Sequence, residues 1–123
     1  MNSKLIILRQ REIETFAEFL KTRHAYLKAA APSARKSDAE LKEAVEEYLK
    51  AAEPYETALQ ELRKFLQTAE PSETAAAELG SAERFIKALH KEKRVGSKLL
   101  KHYTKLTGRH AEEKEEEARQ LEM

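Results

Sequence analysis

The segment LKEAVEEYLKAAEPYETALQELRKFLQTA, residues 41–69, decides the fold. Its apolar residues recur at alternating intervals of four and three, which is the spacing of a coiled-coil seam on one face of an α-helix. Pro54 lies inside the segment, but the spacing continues across it without a change of phase. The sequence therefore predicts one long helix that bends at Pro54. The seam consists of Leu41, Val45, Tyr48, Ala52, Tyr55, Leu59, Leu62, Leu66 and Ala69.

Two prolines outside this segment divide the chain. Pro32 and Pro71 each disfavour helix in the residue before them. A helix start signal follows each one: Ser37 and Glu40 have the spacing of a capping box, and Ser72 offers a hydroxyl to free backbone N–H groups. The predicted helices span residues 3–31, 38–69 and 73–107.

The third helix repeats the spacing of the second. Gly108 follows its last apolar turn and is predicted to end it as the residue after the C-cap. Because short connections make successive helices antiparallel neighbours, the sequence predicts an all-α, up-down-up, coiled-coil-like bundle of three antiparallel helices over residues 1–108. Its third seam is Ala75, Leu79, Ala82, Ile86, Leu89, Lys93, Gly96, Leu100 and Tyr103.

Composition excludes several classes of protein. The 123 residues fit one domain, and the absence of cysteine excludes disulfides and thiolate metal sites. The apolar run from Leu5 to Leu8 is too short for a signal peptide or a membrane span. Neither a glycine-rich phosphate loop nor a metal-binding histidine spacing occurs. We expect a cytoplasmic protein that is not an enzyme and has no cofactor, metal site, membrane contact or small-molecule substrate.

Helices 1 and 3 carry more apolar residues than one seam needs. The predicted core seam of helix 1 is Ile6, Ile13, Phe16, Leu20 and Leu27, and second rows follow beside the seams of both helices. These second rows either fill the core or bury against a partner, because exposed apolar rows are unfavourable. The leading hypothesis is an interaction module (an adaptor, assembly subunit, chaperone or inhibitor) that binds a protein partner or itself. The predicted partner-binding residues are Leu5, Leu8, Phe19, Tyr26, Phe85, Leu99 and Leu106.

A row of basic residues, which we call the basic row, lies along helix 3. It covers about 27 Å of helix and could bind the phosphates of a nucleic acid or an acidic protein partner. A nucleic-acid-binding accessory protein is therefore the alternative function. Against it, the acidic start of helix 2 or the acidic tail at residues 109–123, helical or disordered, would neutralise the row. The basic row consists of Lys87, Lys91, Arg94, Lys98, Lys101 and Lys105.

Overall fold

A computed structural model describes residues 3–122 of the chain. It contains three α-helices, α1 (Ser3–Ala30), α2 (Asp38–Thr68) and α3 (Glu73–Glu122), with a short 3-10 turn at Pro32–Ala34. α1 packs on α2, and α2 packs on α3. The predicted all-α fold of three packed helices is confirmed.

Both predicted helix starts are present. The backbone N–H of Glu40 donates to Ser37 Oγ at 3.2 Å, and the N–H of Ser37 donates to Glu40 Oε1 at 3.4 Å. This reciprocal pair is the capping box of α2. At the start of α3, the N–H of Ala75 donates to Ser72 Oγ at 3.0 Å. These bonds satisfy N–H groups that the first helical turn leaves unpaired.

α2 is the centre of the core and runs unbroken through Pro54. Seven of the nine residues of its predicted seam are buried, and Leu41 and Ala69 at the two ends are half-buried. α3 meets α2 through its own predicted seam, in which Ala82, Ile86 and Leu89 are buried. Both seams are therefore confirmed, and both face inward.

The three helices meet in two apolar clusters. In the larger cluster Phe19 of α1 lies between two tyrosines of α2, with ring centroids 5.1 Å from Tyr48 and 5.5 Å from Tyr55. In the smaller one Leu8 packs with Leu62 and Leu66. Because the earlier residue of α1 meets the later residues of α2, these two helices are antiparallel.

α3 is 50 residues long and does not end at Gly108. The prediction of a helix end there is wrong, since Gly108 has an ordinary helical backbone rather than the positive φ of a C-terminal glycine. One glycine weakens a helix by only about 1 kcal/mol, and the Glu, Lys, Ala and Arg residues that follow favour helix. Residues 111–122, which we call the C-terminal arm, are all exposed. The tail is thus the helical extension that was one of its two predicted forms.

Candidate functional site

α1 turns a different face to the core from the one that the sequence indicated. Leu8, Phe19 and Tyr26 are only 5%, 3% and 9% exposed. These three residues, which were predicted to bind a partner, therefore lie in the core of the bundle instead of on its surface. The face of α1 that contacts the core consists of Leu5, Leu8, Glu12, Thr15, Phe16, Phe19, Thr22, Tyr26 and Ala29.

Aromatic packing accounts for this orientation. Phe19 stacks on two tyrosines of α2, and the Tyr26 ring lies 6.3 Å from that of Tyr48. Buried aromatic rings remove more apolar surface from water than isoleucine or leucine do, and paired rings add a further stabilisation. Burial is also the main reason that the pKa of Tyr48 rises to about 12. The aromatic residues therefore determine which face of α1 is buried.

Two threonines on the same face are tolerated because their hydroxyls bond within α1. Thr15 Oγ1 donates to the carbonyl of Arg11 at 2.6 Å, and Thr22 Oγ1 donates to the carbonyl of Phe19 at 2.8 Å. A hydroxyl that bonds the preceding turn adds no unsatisfied polar group to the core. The aromatic residues of this face are visible in the sequence. The threonines between them interrupt the apolar spacing from which a buried helix face is predicted.

The other predicted partner-binding residues differ in exposure. Leu5 is half-buried against the smaller core cluster, and Leu99 and Leu106 of α3 are also half-buried. Phe85 is 49% exposed and is the only one of the seven among the exposed large apolar side chains. Of the aromatic residues in the predicted set, Phe85 alone is accessible to a partner.

Of the five residues that were predicted to fill the core from α1, Phe16 is half-buried and packs against the larger core cluster, with its ring centroid 5.1 Å from that of Tyr55. The other four are largely exposed and stand seven residues apart, and we call them the outer row. The prediction that α1 fills the core with these five residues was therefore wrong for every member except Phe16. An exposed apolar row of this length is typical of a binding surface. The outer row consists of Ile6 (49% exposed), Ile13 (63%), Leu20 (41%) and Leu27 (51%).

A groove separates α1 from α3. No Cα atom of α1 lies within 8 Å of a Cα atom of α3 in the described residues, although both helices pack closely on α2. Helices in direct contact have axes 8–10 Å apart, so α1 and α3 stand wider than a closed bundle requires. Ile13 and Phe85 stand on opposite sides of the groove, and its floor is made by Leu59, Leu62 and Leu66 of α2.

Ion pairs bridge the groove at two levels. Arg9 pairs with Glu78, and Arg23 Nε lies 2.9 Å from Glu92 Oε1. Both pairs follow the same chain direction, so α1 and α3 are parallel, as the predicted up-down-up order requires. Glu12 lines the groove beside Arg9, and burial raises its pKa while Arg9 partly offsets the shift. The groove therefore has an apolar floor, and charged side chains stand beside Ile13 and Phe85 along its two sides.

A separate charged cluster joins α2 to α3. Lys93 Nζ lies 2.6 Å from Glu53 Oε1 and 2.6 Å from Glu56 Oε2, and His90 Nε2 lies 3.1 Å from Glu56 Oε1. The hydrogen bond from Lys93 holds the pKa of the Glu56 carboxyl below its usual value, and the two carboxylates raise the pKa of Lys93. This cluster explains how Lys93 can occupy a seam position of α3, because two carboxylates pair with its charge and accept hydrogen bonds from its amino group.

All six side chains of the basic row are exposed, on the face of α3 that points away from α2. None of them forms an ion pair within residues 3–122. No carboxylate of the described residues therefore stands within ion-pair distance of the row. The stacking aromatic residues that single-strand binders use do not accompany the row, since Tyr103 is half-buried in the bundle.

Neither predicted source of neutralising charge forms an ion pair with the basic row in the described residues. The acidic residues at the start of α2 pair with nearby lysines instead: Glu40 with Lys36 and Glu46 with Lys42. These local pairs form because residues one turn apart on a helix are neighbours. The C-terminal arm also does not fold back, because α3 continues straight through Gly108. The arm instead extends the face that carries the basic row, with Glu112, Glu115, Arg119 and Glu122 at the same four-three spacing.

Two further features of the described residues bear on other functions. Among residues 3–122 no helix has the length and apolar character to cross a membrane. In the same range no three histidine or carboxylate side chains are grouped so that they could hold a metal ion. No family model, curated protein or solved structure matches this chain.

Proposed function

We propose that the protein is a non-enzymatic helical interaction module. Its binding surface consists of the groove and the adjoining outer row, and this surface binds the apolar face of an amphipathic helix. The observation that carries the proposal is the exposure of the outer row beside a groove whose floor is apolar. Adaptors, assembly subunits, chaperones and inhibitors all require such a surface, and the partner is either another protein or a second copy.

The geometry suits the recognition of one helix by a groove. In this mode the bound helix places apolar side chains from successive turns into an apolar cleft. Ile13 and Phe85 face such a helix from the two sides, and Leu59 closes the floor between them. The Arg9–Glu78 pair lies at the rim, where polar contacts add specificity rather than most of the affinity.

Site-specific photo-crosslinking tests this proposal. Phe85 would be replaced by p-benzoylphenylalanine in cells that express the chain, and the linked peptide identified by mass spectrometry. We expect one discrete adduct whose peptide carries apolar residues at helical spacing, because the probe replaces a side chain of the groove wall. The same probe at Lys91, on the exposed basic row, is the control. No discrete adduct at Phe85, or the same adduct from both positions, would exclude the groove as a binding site.

We propose polyanion binding by the basic row as the second candidate function. The observation that favours it is that six exposed cations share one face of α3 and none of them is paired within the described residues. Binding would be led by phosphate contacts and would carry little sequence preference, because the row offers charge but few groups that read bases. An acidic protein surface would be bound by the same charges.

Fluorescence anisotropy with labelled single- and double-stranded DNA and RNA tests the second candidate. If all six cations meet phosphates, affinity should fall about a thousandfold between about 50 and 200 mM salt. The triple change Lys91→Glu, Lys98→Glu and Lys101→Glu should abolish binding at the lower salt. A control triple at exposed lysines elsewhere, Lys4, Lys64 and Lys114, makes the same change in net charge and should lose far less. Equal losses in the two triples would mean that the row is not the site.

A further inference from the structure

We propose that two copies of this chain associate through α1, with their α1 helices antiparallel about a two-fold axis at Ala17. This inference rests on the proposed function, because it names a second copy as the partner that covers the outer row. It is carried by the self-complementarity of the exposed face of α1 in shape and in charge.

The outer row matches itself under this rotation. Its members stand seven residues apart, and Ala17 lies close to the middle of the row. A two-fold axis at Ala17 sets Ile6 beside the partner's Leu27, and Ile13 beside the partner's Leu20. Each copy thus buries the same surface against the other, as a closed two-fold interface requires. All four exposed side chains of the row gain an apolar neighbour.

The residues beside the row agree with the same axis. Gln10, Ala17 and His24 alternate with the row at intervals of three and four, and all three are exposed. Ala17 would meet its own counterpart at the axis, where a methyl side chain lets two helices approach closely. Gln10 would lie beside the partner's His24, and both side chains can donate and accept hydrogen bonds. No charged residue is buried in this arrangement.

Charge selects the antiparallel direction. Glu14 and Lys21 flank the outer row, are exposed, and form no ion pair within residues 3–122. The axis at Ala17 sets Glu14 beside the partner's Lys21 at two equivalent places. A parallel two-fold pairing would instead place Glu14 and its counterpart on opposite flanks of the contact, so Glu14 would not meet the partner's Lys21. Charges that flank an apolar seam determine helix orientation in this way.

Introduced cysteines test the axis directly, because the chain has none of its own. Ala17→Cys should form an intermolecular disulfide under mild oxidation, since only a residue at the axis meets its own copy within the range that a disulfide spans. Gln10→Cys alone should not crosslink. Gln10→Cys mixed with His24→Cys should form a heterodimer. If Gln10→Cys alone crosslinks as fast as Ala17→Cys, the antiparallel dimer is excluded.

A charge exchange tests the same register without a covalent bond. Glu14→Lys alone and Lys21→Glu alone each place like charges at both flanking contacts, and each should weaken the dimer about tenfold in sedimentation equilibrium. Mixing the two variants restores opposite charges at both contacts, so a heterodimer of near wild-type strength should form. Variants that dimerise as well alone as they do together would overturn the proposed register.

Light scattering measures the mass of the purified wild-type chain. The result separates a failure of the dimer from a failure of the proposed function. A dimer that Leu20→Glu converts to a monomer, and that Leu121→Glu leaves intact, is the expected result. A monomer at every attainable concentration overturns the dimer. A discrete adduct at Phe85 from a different protein would then leave the proposed function standing, while the absence of any adduct would remove both.

Discussion

Replacing Phe19 with glutamate should unfold the protein, whereas the same replacement at its neighbour Leu20 should leave it folded. Phe19 is 3% exposed and lies between two tyrosines, while Leu20 is 41% exposed on the outer row. Losing a buried phenylalanine costs about 3–5 kcal/mol. An unpaired buried carboxylate adds several more. Since small domains are stable by only about 5–15 kcal/mol, the first change removes most or all of that margin.

Far-ultraviolet circular dichroism and urea titration check this pair of variants. Phe19→Glu should show reduced helix content and no cooperative urea transition, because the larger core cluster is lost. Leu20→Glu should keep both, because the bundle itself loses no buried side chain. The reverse result would mean that α1 is turned with Leu20 toward the core, and it would remove the outer row on which the proposed function depends.

Truncating Leu59 to alanine should lower the free energy of unfolding by about 2–5 kcal/mol. Leu59 is fully buried, belongs to the larger core cluster, and forms part of the groove floor. The loss combines the transfer of three carbon atoms from the core with the cavity that remains, since neighbours on all three helices can relax only partly. The effect should therefore be among the largest of any single leucine in the chain.

The urea midpoint measures this change, with the slope of the transition unchanged. For a slope of about 1–3 kcal/mol per molar urea, the midpoint should fall by about 1 M or more. Leu121→Ala in the C-terminal arm is the matched control, because Leu121 is 87% exposed and its truncation should change the free energy of unfolding by less than about 0.5 kcal/mol. Equal effects at the two positions would contradict the placement of the core.

The sequence was sufficient to predict α2, the inward seam of α3 and the helix starts, and insufficient for the end of α3 and the face of α1. In α2 the seam from Leu41 to Ala69 has a single phase, so only one face can be buried. In α1 two apolar rows lie about 100° apart, and periodicity alone cannot choose between them. The choice depended on the tyrosines of α2, which are distant in sequence and become neighbours only in the folded chain.

The candidate site was only partly visible for the same reason. Phe85 was assigned to the binding surface, but the outer row was taken for core, and the groove depends on the spacing between two helices, which no local pattern encodes. The basic row was identified in full, because a periodic set of lysines needs only one helix to define it. Only the structure shows that the described residues form no ion pair with the row, because this depends on which lysines the carboxylates of α2 contact.

The C-terminal arm has a consequence for how the chain tolerates change. Its residues touch no core cluster, and its recorded ion pairs, such as Arg119 with Glu115, stay within the arm or join it to the adjoining turn. A helix this short is marginal in water on its own, so the arm should open and close without involving the bundle. Global folding therefore places almost no constraint on its composition. A label, a fusion or a reversed charge introduced there would report on the arm's surroundings while leaving the bundle undisturbed.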